Sequence, residues 1–190
     1  MKLFEKIYLR FFVKSGFFYG AYLKKKGSFH ALGDNCYIAK SANIPDQYLT
    51  SIGSYVWVTS GCQLLCHDAS VIMLNIMHRE HYDRVAPISI GSNSFLGNNA
   101  IVLPGVAIGT GCIIGAGSVV TKNIPDNSVH AGNPARFICT LDDYVGRIKQ
   151  STESYPWYSL LQKHALHVYD PENEQRLRAA RVRHFFGEGQ

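Results

Sequence analysis

Reading every sixth residue from Leu32 gives Leu32, Ile38 and Ile44, then, after two extra residues, Ile52, Val58 and Leu64, and after a long interruption Ile90, Leu96, Val102, Ile108, Ile114 and Val120. All twelve are aliphatic, although Leu, Ile and Val make up only 43 of the 190 residues. A helix repeats every 3.6 residues and a strand every two, so a period of six suits neither. It suits short strands joined by tight turns. Each hexad then forms one side of a triangular coil, three hexads close a turn of about eighteen residues, and coils stacked about 4.8 Å apart set each aliphatic residue over its counterpart. Small residues recur four places on, at Cys36, Ala42, Cys62, Ser94, Ala100, Cys112 and Ser118, where inward space is tight. Cys36, Cys62 and Cys112 are therefore expected to be core fillers.

The uncharged run at 101–120, IVLPGVAIGTGCIIGAGSVV, is long enough to resemble a membrane helix, but five glycines, Pro104 and the strict period argue against one. Charge is unevenly placed. Residues 1–26 carry seven Lys/Arg and one Glu, whereas the other 164 carry twelve basic and thirteen acidic residues, so the body of the chain offers no nucleic-acid surface. The opening segment has no uncharged stretch longer than Ser15 to Leu23 and no small-residue cleavage site, so no signal peptide is expected. The five cysteines are then expected to be reduced thiols in a cytoplasm, and Cys62 and Cys66 lack the second pair that a zinc site needs.

Three ordered blocks go beyond the period: IGSNSFLGNNAIVLPGV at 90–106, IGAGSVVTK at 114–122 and AGNPAR at 131–136. With the repeats from about Leu32 to Ile138, they resemble the left-handed β-helix hexapeptide-repeat acyltransferases, in the branch of the maltose, galactoside and colanic acid O-acetyltransferases. The resemblance implies an all-β fold, a left-handed parallel β-helix with an N-terminal helical segment and C-terminal helices. The expected division is a basic amphipathic segment at 1–30, the β-helix at 31–138 with a loop at 70–89, and a helical extension at 139–190. It also implies acetyl-CoA as co-substrate without a metal, a sugar or glycan acceptor, and a homotrimer with CoA held between subunits.

The loop, SVIMLNIMHREHYDRVAPIS, follows the hexad Leu64 to Ala69, and so long an insertion is uncommon unless it covers a site. In the family such an excursion follows the catalytic histidine, which maps that role to His67. The chemistry agrees, because removing a hydroxyl proton during acetyl transfer suits a neutral imidazole, whose ordinary pKa is about 6.5. Asp68 is a candidate to orient His67 or meet the acceptor, although neighbours on a strand face opposite ways. That alternation also turns Cys66 away from an acyl-accepting role. His78, His81, Tyr82 and Arg84 are candidate acceptor contacts. A three-histidine zinc set of His67, His78 and His81, as in a γ-class carbonic anhydrase, has the wrong spacing. For the CoA donor the resemblance implies Asn98, Ala116, Thr121, Lys122 and Arg136. A second family arginine is replaced here by Cys139, which implies either weaker CoA binding or a phosphate contact moved to Arg147 or Lys149.

Beyond the repeat, Thr140 with Asp143 resembles a capping box and predicts a helix over 141–150, and Asp170-Pro171-Glu172 starts another. Trp157 reads as packing. Lys2, Lys6, Arg10 and Lys14 would form a cationic stripe if residues 2–15 are helical, opposite Leu3, Phe4, Ile7, Tyr8, Phe11 and Phe12. That face suits either a peripheral contact with the inner face of a membrane or a cap on the open end of the β-helix. The expected function is an acetyl-CoA-dependent O-acetyltransferase, acting on a surface-polysaccharide or lipopolysaccharide precursor. The alternatives are N-acetylation of an amino sugar nucleotide and a non-catalytic scaffold.

Overall fold

The computed structural model describes residues 15–162 and 170–187. Its repeat consists of β1 (Ala31–Leu32), β2 (Tyr37–Ile38), β3 (Thr50–Ile52), β4 (Trp57–Val58), β5 (Gln63–Leu64), β6 (Ile88–Ile90), β7 (Phe95–Leu96), β8 (Ile101–Val102), β9 (Ala107–Ile108), β10 (Ile113–Ile114) and β11 (Val119–Val120), followed by β12 (Ser128–Ala131) and β13 (Arg136–Thr140). These make three sheets: β1-β3-β6-β9, then β13-β12-β10-β7-β4-β2, then β11-β8-β5. They are called here the first, second and third faces. Successive strands visit the faces in turn, and neighbours within a face are parallel, as a coil requires. The exception is β13, which folds back antiparallel on β12 and closes the second face.

The register measures the interruptions. Ile90 pairs with Ile108, eighteen positions on, whereas Leu32 pairs with Ile52 across twenty and Ile52 with Ile90 across thirty-eight. The two extra residues and the long excursion both fall where the chain passes from the third face to the first, so insertions there leave the ladders intact. Eleven of the twelve ladder residues are buried, and only Leu32, in the first coil, is half-buried. Cys36, Cys62 and Cys112 lie in the same core. The second-face ladder runs Ile38, Val58, Leu96, Ile114 and ends on His130, paired with Ile114.

The all-β expectation holds for the repeat and not for the chain. Helix α1 (Gly16–Lys26) starts at Ser15, stops at left-handed Gly27, and places Leu23 in the core. Gly20 meets the Cys36 carbonyl so closely that a Cβ would not fit. Leu23 packs in the core with Cys36 and Ile38, so α1 lies against the first coil. The stripe itself, residues 2–14, lies outside the described residues.

The excursion also departs from the expected loop, because Ser70–His78 forms helix α2. The segment SVIMLNIMH contains neither Gly nor Pro, its start is held by the Asp68 carboxylate, and it stops at Arg79 in the left-handed region. Residues from Asp142 onward form a second compact unit. Helix α3 (Leu141–Ser154) runs longer than its capping pattern indicated, and a short α4 (Tyr158–Gln162) went unforeseen. Helix α5 (Pro171–Phe186) begins as expected, with the Asp170 carboxylate accepting from the Glu172 and Asn173 amides. Trp157 is buried and stacks on Tyr155. No helix among the described residues is long and apolar enough to cross a membrane.

Candidate active site

The edge where the third face turns into the first carries the site. In the second coil this edge holds His67, just after β5, and the neck of the excursion closes behind it. His67 bridges Val85 antiparallel, the Ala86 amide donates to the Cys66 carbonyl at 2.9 Å, and the Asp68 amide to the Arg84 carbonyl at 2.9 Å. The neck leaves the His67 ring half exposed, while Cys66 points into the core. Burial pushes the Cys66 thiol above its ordinary range, which suits a core residue and not a nucleophile.

His67 Nδ1 lies 2.7 Å from Asp46 Oδ2, and the Asp46 side chain is largely enclosed, at 15% exposure. Asp46 comes from the same edge one coil earlier. The two residues added between Ile44 and Ile52 let the chain make a 3₁₀ turn over Gln47–Leu49 there. The Leu49 amide closes this turn onto the Asp46 carbonyl at 3.0 Å, and the buried Thr50 hydroxyl donates to the same carbonyl at 3.0 Å. The turn is also tied to the first coil, since the His30 amide donates to the Gln47 carbonyl at 2.9 Å and the Ser28 hydroxyl to Gln47 Oε1. The Asp46 carboxylate caps no helix and faces His67. A carboxylate only accepts, so Nδ1 carries the proton and Nε2 is left with its lone pair free.

Asp68 therefore does not orient His67. Its carboxylate accepts from the Ser70 amide at 3.1 Å and the Ser70 hydroxyl at 2.6 Å, and sits 3.4 Å from the Arg84 guanidinium. The Ser70 hydrogen bonds hold its pKa below the ordinary carboxylate value, with Arg84 adding to the effect. Alternation along the strand turned it away from the imidazole, and it fastens the excursion instead.

A cleft of about 620 Å³ opens beside His67, of a size that suits a small ligand. It is lined by Asp68, Ala69, Ser70, Arg84, Val85 and Ala86 from the excursion, and along the edge by Leu65, Leu103, Pro104 and Thr121. Leu65, Leu103 and Thr121 each follow a third-face strand, so the cleft runs along the edge from His67 to Thr121. Of the candidate acceptor contacts only Asp68 and Arg84 line it. His78, His81 and Tyr82 do not, and His78 packs edge-on against Tyr82 with ring centroids 6.3 Å apart. Among the described residues no three His, Cys, Asp or Glu side chains gather, so His67, His78 and His81 do not assemble as a set.

The candidate CoA residues divide between two edges. Thr121 and exposed Lys122 follow β11 on the edge of His67. Asn98 and Ala116 lie on the edge between the second and third faces, one coil apart, with the Gly117 amide donating to the Asn98 carbonyl at 2.8 Å. Gly97 allows that stacking, since a Cβ there would meet the Ala116 backbone. Arg136 opens β13 and is exposed. Cys139 is buried, so its short side chain offers no contact to a phosphate. Arg147 and Lys149 lie on α3, in the second unit.

Residues 87–122 match the hexapeptide repeat of succinyl-transferase. A Staphylococcus aureus (strain MRSA252) protein to which acetyltransferase activity is ascribed is 51% identical over 73 residues, covering 38% of this chain and 37% of that one. Galactoside O-acetyltransferase of Escherichia coli (strain K12) is 38% identical over 117 residues, covering 62% of this chain and 57% of that one. A solved galactoside acetyltransferase in complex with coenzyme A superposes with a TM-score of 0.52 at 34% identity, covering 60% of this chain and 56% of that one. The chain thus spans between about a third and three fifths of the length of these relatives. Its repeat is similar to those of hexapeptide-repeat acetyltransferases.

Proposed function

We propose, from that similarity and from the Asp46–His67 pair, that the chain is an acetyl-CoA-dependent O-acetyltransferase acting on a sugar hydroxyl, in a coil of the family's left hand. The observation that carries the reading is the 2.7 Å contact at the head of a cleft leading to Thr121. With Asp46 holding Nδ1–H, His67 Nε2 accepts the proton of an acceptor hydroxyl as its oxygen attacks. Acetyl-CoA supplies the acetyl group as an activated thioester. His67 then returns the proton from Nε2 to the departing thiolate, so the exchange balances without an acyl-enzyme. Asp46 opposes the imidazolium that forms midway, and its enclosed position limits solvent screening of the pair to the imidazole side.

The residues near Thr121 suit a polyanionic donor. Lys122 and Arg136 are exposed cations of the kind that pairs with phosphates. Asn98 and Ala116 sit on a different edge from Thr121, and in a homotrimer a neighbouring chain would bring one kind of edge against the other. The acceptor we favour belongs to a surface-polysaccharide or lipopolysaccharide precursor made in the cytoplasm. The test is a panel of hydroxyl- and amine-bearing sugars with acetyl-CoA, read by CoA release and by mass of the product. A product ester supports the reading, and an amide or no transfer overturns it. Sedimentation showing a fully active monomer would overturn the trimer.

A further inference from the structure

Helix α5 has a face that the acetyl-transfer reading leaves unused. Its inner side is fixed by buried Asn173 and Leu177 and by the His184 ring, which meets Trp157 edge-on at 5.4 Å between centroids. Asn173 Nδ2 also donates to the Leu160 carbonyl of α4 at 3.4 Å. That anchoring sets the helix rotation, and the opposite side then carries Gln175 in the second turn, followed by Ala179, Val182 and Phe186, spaced three and four residues apart. Val182 is 50% exposed, and Phe186 at the tip is 83% exposed beside Phe185 at 61%.

Charge is sorted along the same helix. Within the helix the acidic residues, Glu172 and Glu174, lie in the first turn, and from Gln175 to Phe186 it carries Arg176, Arg178, Arg181 and Arg183 with no Asp or Glu, Glu188 following two residues beyond. Arg181 is engaged by Glu174 at 3.4 Å. By helical geometry Arg178 borders the Ala179–Val182–Phe186 strip on one side, and Arg176 and Arg183 border it on the other. An exposed aliphatic and aromatic strip between guanidiniums is the pattern of a helix that lies in a lipid interface. The apolar side chains enter the acyl boundary while the cations meet anionic headgroups, and long Arg stems allow both at once.

We infer that α5 is a docking surface for an anionic membrane, with Val182 and Phe186 inserting and Arg176 and Arg178 facing the headgroups. The cationic half of the helix complements the negative surface, whereas an uncharged bilayer would offer only the apolar contact. Each neutralised guanidinium should weaken binding about fivefold, so an R176Q/R178Q pair should lose about twenty-five-fold.

The test is co-sedimentation of the full chain with vesicles of phosphatidylcholine alone and with 30 mol% phosphatidylglycerol, at low and high salt. R176Q/R178Q and V182S/F186S are compared with a K2Q/K6Q/R10Q/K14Q control, which separates this face from the basic N-terminal segment. The expected result is salt-sensitive binding to the anionic vesicles only, weakened by both α5 pairs and retained by the control. All these α5 side chains are exposed, and circular dichroism checks that the helix persists. Binding unchanged in both α5 pairs, or abolished by the control alone, overturns the inference. So does an absence of vesicle binding, including the case where V182S/F186S dissociates an oligomer and so assigns the face to a second copy.

Discussion

Replacing Asp46 by Asn keeps the size of the side chain and removes its charge. The carboxylate is 15% exposed and 2.7 Å from His67 Nδ1, whereas the imidazole is 41% exposed, so solvent screens the pair from one side only. A charge-assisted hydrogen bond contributes about 1.5 to 3 kcal/mol, and this half-open geometry places it in the lower part of that range. An amide can also donate through its nitrogen, which would favour the tautomer with the proton on Nε2 and disable the base. The expected outcome is a 10- to 100-fold fall in kcat, the usual size for a partner that orients a functional histidine. The KM for acetyl-CoA should stay within about twofold, since Asp46 lies one coil before His67 on that edge and Lys122 follows β11, two coils beyond it. CoA release with the best acceptor from the sugar panel measures both constants. Asp46→Glu, which keeps the charge, should recover part of the loss. An Asp46→Asn protein with unchanged kcat, or one whose loss lies wholly in KM, would refute the reasoning.

Three further outcomes follow from the packing and the charges. His130 ends the second-face ladder with Nε2 buried and without a hydrogen-bond partner among the described residues, and burial holds its pKa below the ordinary histidine value. The unfolded chain therefore binds the proton more readily, so the stability linked to neutral His130 is full above about pH 6.5 and declines as pH falls below it. His130→Val should raise stability by about 1 kcal/mol in chemical denaturation and flatten that acid-side decline. Gly97→Ala should cost about 2 kcal/mol or more, because its Cβ would press on the Ala116 backbone, and an unchanged Tm would contradict the packing. Lys122→Ala should raise the KM for acetyl-CoA about tenfold with kcat nearly unchanged, as loss of a charged contact to a phosphate would do.

The β-helix was legible because its constraint is periodic: each aliphatic residue must fit over the one a coil away, and the sequence shows that spacing directly. His67 was legible through the excursion that follows it. Asp46 was not read, although its signal was present as the two-residue slip between Ile44 and Ile52. Both irregularities fall on the edge between the third and first faces, in adjacent coils, and pairing the interruptions would have paired the side chains. Asp68 is a candidate orienting partner by adjacency in sequence, and the alternation that counts against it decides the matter: adjacency along a strand separates side chains and stacking across coils joins them. Helix α2 was missed because an excursion carries no repeat to read, and its residues satisfy helical geometry while facing solvent. His130 falls one coil after Ile114, but β12 is reached across sixteen residues instead of eighteen, which broke the count before the ladder ended.

The proposed role of His67 is that of general base in an acetyl transfer whose donor is held by other residues, Thr121 and Lys122 on the same edge and Asn98 and Ala116 on another. Its most direct test is the turnover of His67→Ala beside the acetyl-CoA affinity of the same protein, measured by isothermal titration calorimetry. The kcat of His67→Ala should fall by roughly 10²- to 10⁴-fold while the Kd for acetyl-CoA changes less than about threefold. A His67→Ala protein that keeps most of its turnover, or that loses acetyl-CoA binding in parallel with its activity, would contradict that role.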